Sequence, residues 1–524
     1  MIYGFTSFGF EGELVKIEVD LRRGIPACDI VGLADAAVKE SRERMHSAII
    51  NSGFEFPRSR ILINLSPADL KKEGTGFDLP IAVSVIIAQS AMELNTDTLV
   101  VGELELSGRL RPGFGVLAAA ALAKSRGIKN IIVPVENKTE AEIPGGLCVY
   151  GVETLSEAVD ILMYPKDLQP EKPSDEYNSK NNIDIFQNAE GGDFSSVKAQ
   201  PVLLRAMEIA AAGGHSLFAF GPPGCGKTMA LNRFHELLPN LSRDIAVDVA
   251  KIQSLAGCRI TKNLSLRPPV RKPHQSVSLE GMAGGGKQLR PGEVSLSHGG
   301  VLFIDEATAF NYTVLQVLRT PMDTGNILIS RAGRNINFPA NFQLIMAANP
   351  CPCGKLGVKG KYCTCTPAMV EKYWKKISQP VIDRLDLRVP VLVPEGKDFI
   401  NSQGKSDLRE KIKTAVEIQK YRYKNKKELY RKNSKLKPEE ISSVCVMTEN
   451  GKKEYSTLLS SGELSPRGAA SILKTSRTIS DLEDEEKINS SHIQEAAFYR
   501  KWGDSPWDIL EYGKYVEKNH LCIK

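Results

Sequence analysis

The chain lacks a run of about 18 consecutive apolar residues, the length a membrane-crossing helix needs. Its nearest approach, Leu79 to Leu94, is broken by Ser84, Gln89 and Ser90, so no membrane partner is expected. Cysteine is sparse, ten in 524 residues, which argues against a disulfide scaffold. Four of the ten crowd into one short segment, a pattern that suits a metal site in a reducing, cytoplasmic setting. Charge of either sign is nearly balanced: 68 Lys and Arg against 62 Asp and Glu leave +6, too little for the total to imply a polyanion partner. Residues 1–20 do not read as a secretory leader, because apolar and polar residues alternate and Glu11, Glu13 and Asp20 intervene. They read as strands. No internal repeat is visible.

What is present is ordinary globular composition, 42% hydrophobic and 25% charged, enough for about three domains at ~150 residues each. Residues 1–165 are dense in short apolar runs, with helices expected over Leu33–Ser52 and Leu79–Leu94. Residues 166–195 are polar, contain Pro170 and Pro173, and read as a linker. From 196 to 400 helices and strands alternate, beginning with an amphipathic helix from Gln200 and an apolar strand at Leu217–Phe220. That alternation predicts an α/β unit with a mostly parallel sheet. From 401 to 524 helical patterns dominate.

Gly221-Pro222-Pro223-Gly224-Cys225-Gly226-Lys227-Thr228 fits G-x-x-x-x-G-K-[ST], placed after a strand and before a helix expected over Met229–Leu238. Glycines there let backbone N–H groups curl around phosphates, and the helix start adds positive potential. Lys227 would hold the β- and γ-phosphates, and Thr228 would ligate Mg²⁺. Gly299 to Glu306 reads as a buried strand ending in two acids. Asp305 would complete the Mg²⁺ shell and Glu306 would polarise the attacking water. Together the two motifs predict ATP or GTP hydrolysis. Asn349 ends a further apolar strand, Phe342–Ala348, where a polar tip can orient the lytic water. Arg384 precedes another strand and can be presented to a neighbouring subunit's γ-phosphate. Arg467 follows Pro466 at a helix start, from which it can reach back to the nucleotide.

These stretches, with Arg290 to His298 and Ala347 to Gly354, resemble the magnesium-chelatase-like branch of AAA+ ATPases, in particular the YifB/ComM group. The resemblance extends over nearly the whole chain. It implies an AAA+ core with a C-terminal helical lid and a homo-oligomeric ring, a hexamer in the family's manner. It also implies Asn349 as sensor 1, Arg384 as arginine finger and Arg467 as sensor 2. Ala307-Thr-Ala-Phe310 departs from the Leu-Pro-Glu-Phe type of sequence expected after the acids, which leaves the acids themselves untouched.

Cys351-Pro-Cys353 and Cys363-Thr-Cys365 make a CxC–x9–CxC pattern directly after Asn349. Thiolates from two tight turns can complete a tetrahedral Zn²⁺ shell, with Gly354, Gly357 and Gly360 letting the loop fold over. C-x-C is tighter than the C-x2-C of zinc ribbons, so reduced thiols or a redox-labile pair stay open as alternatives.

Within residues 1–165, Gly102 to Pro134 resembles the proteolytic domain of Lon protease, implying a ribosomal S5 domain-2-like α+β fold. Lon-type peptidases pair a serine with a lysine base. Here Lys72 to Pro80 holds no serine, only Thr75, and Leu117 occupies the lysine position. A scaffold is expected instead of a peptidase. Among candidate substrate contacts, Ile327–Phe338 reads as a hairpin with Arg331 and Arg334 about its turn, and such basic hairpins can track phosphates. Gly284 to Lys287, Arg290 and His274 lie in an insertion before the acidic strand, and Lys405–Lys437 carries 13 Lys and Arg against four acids, with Tyr421, Tyr423 and Tyr430 interleaved. The family resemblance implies a DNA motor promoting branch migration in recombination and natural transformation. A magnesium-chelatase-type motor and a generic protein-remodelling ATPase are the alternatives. The first of these is disfavoured by the absence of a D-x-S-x-S metal-adhesion motif.

Overall fold

A computed structural model describes residues 1–7, 9–70, 72, 76–90, 96–164, 186, 194–195, 197–258, 264–286, 289–331, 334–394, 408–424, 432–462 and 464–518. The N-terminal strands are β1 (Ile2–Thr6), β2 (Glu13–Arg22), β3 (Ala27–Val31), β4 (Arg60–Ser66), β5 (Thr98–Val100), β6 (Glu103–Leu104), β7 (Leu110–Arg111), β8 (Asn130–Pro134) and β9 (Cys148–Val152). Seven of them form one mixed sheet, ordered β3-β4-β2-β1-β5-β8-β9, and β6 pairs with β7. Strict alternation in β4 sends Ile61, Ile63 and Leu65 into the core, where none is exposed. One face is covered by helices Ala36–Asn51, Asp78–Gln89 and Leu155–Met163, the other by Val116–Ser125. Both expected helices are therefore present, though the second ends at Gln89, five residues short of Leu94. Its start is fixed by buried Asp78, which accepts hydrogen bonds from Ser41 and from Arg44 Nε at 2.8 Å.

Beyond residue 196 the strands are β10 (Leu217–Phe220), β11 (Val270–Arg271), β12 (Gly284–Gly285), β13 (Arg290–Pro291), β14 (Val301–Ile304), β15 (Asn326–Arg331), β16 (Arg334–Pro339), β17 (Gln343–Ala348) and β18 (Leu387–Pro390). Five make a wholly parallel sheet ordered β11-β14-β17-β10-β18. Every residue of β10, β14 and β17 is buried, as both faces of a parallel sheet must be. Successive residues feed two cores: Leu217 and Ala219 point to one, Phe218 and Phe220 to the other. Helix Pro201–Gly213 opens with proline at its first turn and closes on Gly214 at φ 73°, the left-handed conformation a glycine end permits.

Helices Leu408–Tyr423, Pro466–Leu482 and Ser490–Lys501 build onto the first core, while Asp508–Lys518 packs on the second. This packing changes the reading of the basic segment. Tyr423 is 4% exposed and donates its hydroxyl to Asn433 at 2.8 Å, and Arg422 is paired with Asp481. Those two side chains build the core, whereas Tyr421 is 85% exposed and Lys411 and Lys424 are exposed as well. Of that segment, 405–407 and 425–431, with Tyr430, lie outside the described residues. The polar 166–195 stretch is also described only at Phe186, Phe194 and Ser195. Phe194 is fully buried beneath the Arg233 guanidinium, 4.6 Å from the ring, so the end of the expected linker is core.

The N-terminal part docks on helix Arg243–Leu255. Leu117, where the Lon resemblance would place a lysine, is fully buried against Ile143 and Ala250. Buried Glu140 accepts from the Leu117 amide at 3.0 Å and from Ser254. Lys251 lies 4.0 Å over the Phe10 ring. The position of a would-be catalytic base has become a joint. Thr75 lies outside the described residues.

Candidate functional site

The phosphate loop hangs between the ends of β17 and β18. Gly221 donates its N–H to Ala348 O at 3.2 Å, and a Cβ there would sit 2.0 Å from Val391 O, so only glycine fits. Gly224 and Gly226 take φ of 78° and 90°, the left-handed turns that curl the loop. Gln200 pins the loop from outside, donating to Cys225 O at 2.9 Å and Leu392 O at 3.0 Å. The helix then begins at Lys227, two residues before the expected Met229, and runs only to Asn232. A 3-10 turn, Phe234–Leu237, follows, which buries both Phe234 and Leu237.

Lys227 is 6% exposed, and its ammonium donates to Gly221 O (2.7 Å), Pro222 O (2.8 Å) and Asn349 Oδ1 (3.3 Å). Burial lowers its pKa, so an incoming anion would relieve a desolvated cation. Thr228 Oγ1 donates to Asp305 Oδ1 at 3.3 Å, which sets a hydroxyl and a carboxylate side by side for one cation. Glu306 adopts φ 50°, the left-handed region, and is exposed. A non-glycine residue there is strained by about 1–2 kcal/mol, and Glu306 lines the same cavity as Lys227. Lys227, Thr228, Asp305, Glu306 and Asn349 line one cavity of ≈ 330 Å³ with Pro223, Gly224 and Gly226. The donor set fits magnesium nucleotide: an amide cradle with an ammonium for the phosphates, and a hydroxyl beside a carboxylate for the metal.

Arg384 and Arg467 are not part of that cavity. Arg384 grips Asp323 with Nε at 3.0 Å and Nη2 at 2.5 Å, and Arg467 Nη2 approaches the same carboxylate at 3.3 Å. Both line a separate cavity of ≈ 920 Å³, together with Arg319, Arg388, Arg500 and Lys501. The helix Pro466–Leu482 packs so that its N-terminal end, with Arg467, lies beside Arg384 and Asp323 and outside the cavity that holds Lys227.

The base of the Arg384 turn is fixed by residues that no motif marks. Asp386 bonds His215 at 3.1 Å and Ser471 at 2.6 Å. Burial would raise its carboxyl, but the hydrogen bond and charge of His215, with help from Ser471, bring it down to about 2. Asp323, Gln200 and this Asp386–His215 link carry no local sequence signal. The nearest thing to one is composition, an acid or histidine inside an otherwise apolar stretch.

The four clustered cysteines converge. Cys351 Sγ lies 3.5 Å from Cys353 and 3.7 Å from Cys363, Cys353 lies 3.5 Å from Cys363, and Cys365 completes a group within 4.8 Å. A tetrahedron with ~2.3 Å Zn–S bonds has edges of ~3.8 Å, so the sulfurs fit zinc. Burial would raise the Cys353 thiol, yet backbone amides of Lys355 and Thr364 and the neighbouring thiols bring it down to about 5. Gly354, Gly357 and Gly360 all have positive φ. A Cβ at Gly354 would come within 2.7 Å of Pro223 in the phosphate loop, and one at Gly357 within 2.7 Å of Ile509. The loop is thus wedged between the phosphate cradle and the last helix. In the β15–β16 hairpin, Arg331 pairs with Arg334 across the turn, as the sequence predicts; Lys287 lies outside the described residues. His274 is exposed and bonded to Ser276 at 2.7 Å.

Comparison with known proteins covers nearly the whole chain. The magnesium chelatase subunit ChlI profile matches residues 193–398, a second ChlI profile residues 17–137, and the ChlI C-terminal profile residues 403–500. The chain is 36% identical over 507 residues to Uncharacterized protein YifB of Escherichia coli, covering 95% of this chain and 96% of that one. It is 36% identical over 506 residues to Competence protein ComM of Haemophilus influenzae, covering 95% and 97%. A shorter similarity, 26% over 170 residues, links 30% of the chain to 22% of Lon protease 2 from Syntrophobacter fumaroxidans.

Proposed function

The chain belongs to the YifB/ComM family of magnesium-chelatase-like AAA+ ATPases, and from that premise we propose that it is a ring motor that hydrolyses ATP to move on DNA. The observation that carries the ring is the separation of parts. The cradle, Mg²⁺ ligands and acids share one cavity, while Arg384 and Arg467 wait together on Asp323 in another. A subunit so built needs a neighbour's arginines to close its pocket, which supports a hexamer or a similar closed ring.

Within the pocket, Lys227 holds the β- and γ-phosphates, and Thr228 with Asp305 holds Mg²⁺, which neutralises charge developing on the phosphates. Glu306 accepts the proton of the attacking water and Asn349 orients it. Arg384 and Arg467 of the adjacent subunit meet the transferring phosphoryl group. The four thiolates would hold a structural zinc, and fewer than one zinc per chain in purified protein counts against that assignment. Helices 408–518 are read as the lid, and residues 1–165 as an S5 domain-2-like scaffold joined to the core by the remaining polar linker.

DNA as the track is supported by the Haemophilus relative's description as a competence protein and by the hairpin with Arg331 and Arg334 at its turn. Branch migration or helicase activity in recombination during transformation is the specific form we favour, in the cytoplasm, where thiols stay reduced. No described helix is long and apolar enough to cross a membrane. Magnesium-chelatase-type action has the profile matches on its side, but it demands metal- and porphyrin-handling partners. Measuring ATP turnover with and without single-stranded or branched DNA separates the readings: a motor on DNA is stimulated. An unchanged rate at saturating DNA refutes this one.

A further inference from the structure

The thiol-clamped loop carries a feature that neither phosphate chemistry nor metal binding uses. Tyr362, between Gly360 and Cys363, is 92% exposed, more than any other large apolar or aromatic side chain among the described residues. A lone exposed ring is unremarkable by itself; its surroundings are not. Residues 351–378 hold six lysines and one glutamate, and Lys355, Lys361, Lys372 and Lys376 are exposed. Glu371 is engaged with Lys375 at 3.8 Å, so the surface keeps a strong positive excess.

The ring is also presented from a constrained base. Four sulfurs gather the loop, Gly354 abuts Pro223 and Gly357 abuts Ile509. We propose that this loop is a stacking site for single-stranded nucleic acid, with a base lying on the face of Tyr362 and phosphates on the flanking lysines. Stacking needs an open ring face on a platform that loses little freedom on binding, and it tolerates any base. Lysines supply the sequence-independent, salt-sensitive part. The loop leaves β17 through Asn349, which touches Lys227, and its Gly354 abuts Pro223, so the loop that carries Tyr362 also borders the nucleotide pocket. The inference rests on the DNA-motor reading and supplies it with a contact.

The test uses the full chain, a fluorescein-labelled oligothymidine read by anisotropy, and ATP turnover in parallel. Tyr362→Ala should weaken oligonucleotide binding at least about fivefold, Tyr362→Phe should retain it, and turnover without DNA should be unchanged in both. Replacing Lys355 and Lys361 with Gln should flatten the slope of log affinity against log salt by about 1.4. If wild type binds and Tyr362→Ala binds within twofold of it, the stacking site is wrong while the motor reading stands. If Phe fails to restore what Ala loses, the ring face is not the contact, and the proposal falls likewise. Equal competition by polyglutamate would reduce the patch to a general anion surface, which overturns the nucleic-acid assignment. If wild type itself binds no oligonucleotide, the DNA-motor reading fails first.

Discussion

Replacing Arg384 with Ala tests the division of labour between subunits. In one subunit the guanidinium rests on Asp323 through three contacts of 2.5 to 3.1 Å and donates to Pro380 O at 2.6 Å. To reach a neighbour's phosphate it must leave that carboxylate. Asp323 is 38% exposed and Arg384 13%, and a partly buried charge-assisted pair of this kind is worth about 1–3 kcal/mol. An arginine meeting the transferring phosphoryl group is worth about 10³–10⁵ in rate, roughly 4–7 kcal/mol. The second quantity decides, so Asp323 is a resting place, not a lock. Arg384→Ala should therefore lose at least about a thousandfold of steady-state phosphate release while nucleotide affinity stays near wild type. Asp323→Ala should stay within about fivefold of wild-type turnover. Mixing Arg384→Ala subunits into wild-type rings should depress turnover beyond simple dilution, because each variant disables its neighbour's pocket. Turnover by Arg384→Ala within tenfold of wild type, or strictly proportional mixing, would refute the reasoning.

Two further outcomes follow from the same geometry. Glu306 sits at φ 50°, so Glu306→Gly should be as stable to unfolding as wild type or more stable, by up to about 1 kcal/mol, and hydrolyse nothing; a clear loss of stability would contradict the strain argument. Burial holds His298 down at about 4, with its Nδ1 accepting from Asn341 N at 3.1 Å. The unfolded chain takes up the proton first, so stability is complete above pH ~6.5 and is lost as pH falls toward ~4, by about 3 kcal/mol. Urea titrations across that window should show the loss in wild type and a flatter profile in His298→Asn. Asp386, at about 2, acts only below the ordinary carboxylate range, so the two effects separate.

The central strands were legible because a parallel sheet covered on both faces needs apolar runs; Leu217–Phe220 is one without interruption, and Phe342–Ala348 is one apart from Gln343. The phosphate loop was legible because its chemistry is local, eight consecutive residues answering one ligand. What escaped sequence reasoning is long-range. Asp323 meets Arg384 across 61 residues and Arg467 across 144, and no window of sequence contains both partners. For Arg467 the helix start at Pro466 is readable, but not the direction in which that helix packs or its contact with Asp323. Composition misled at Tyr423 and Phe194, because burial depends on what packs against a side chain, and both find a core within polar or basic stretches. Leu117 shows the reverse: its departure from a lysine was readable, while the docking contact with Ala250 that replaces it was not.

The most direct test of the whole account is phosphate release by Glu306→Gln in a single-turnover experiment with ATP. The variant keeps Lys227, Thr228 and Asp305, so it should retain ATP in its pockets and release essentially no phosphate. Release at a rate near wild type would mean that Glu306 does not activate the water and that the cavity beside Lys227 does not perform the hydrolysis assigned to it.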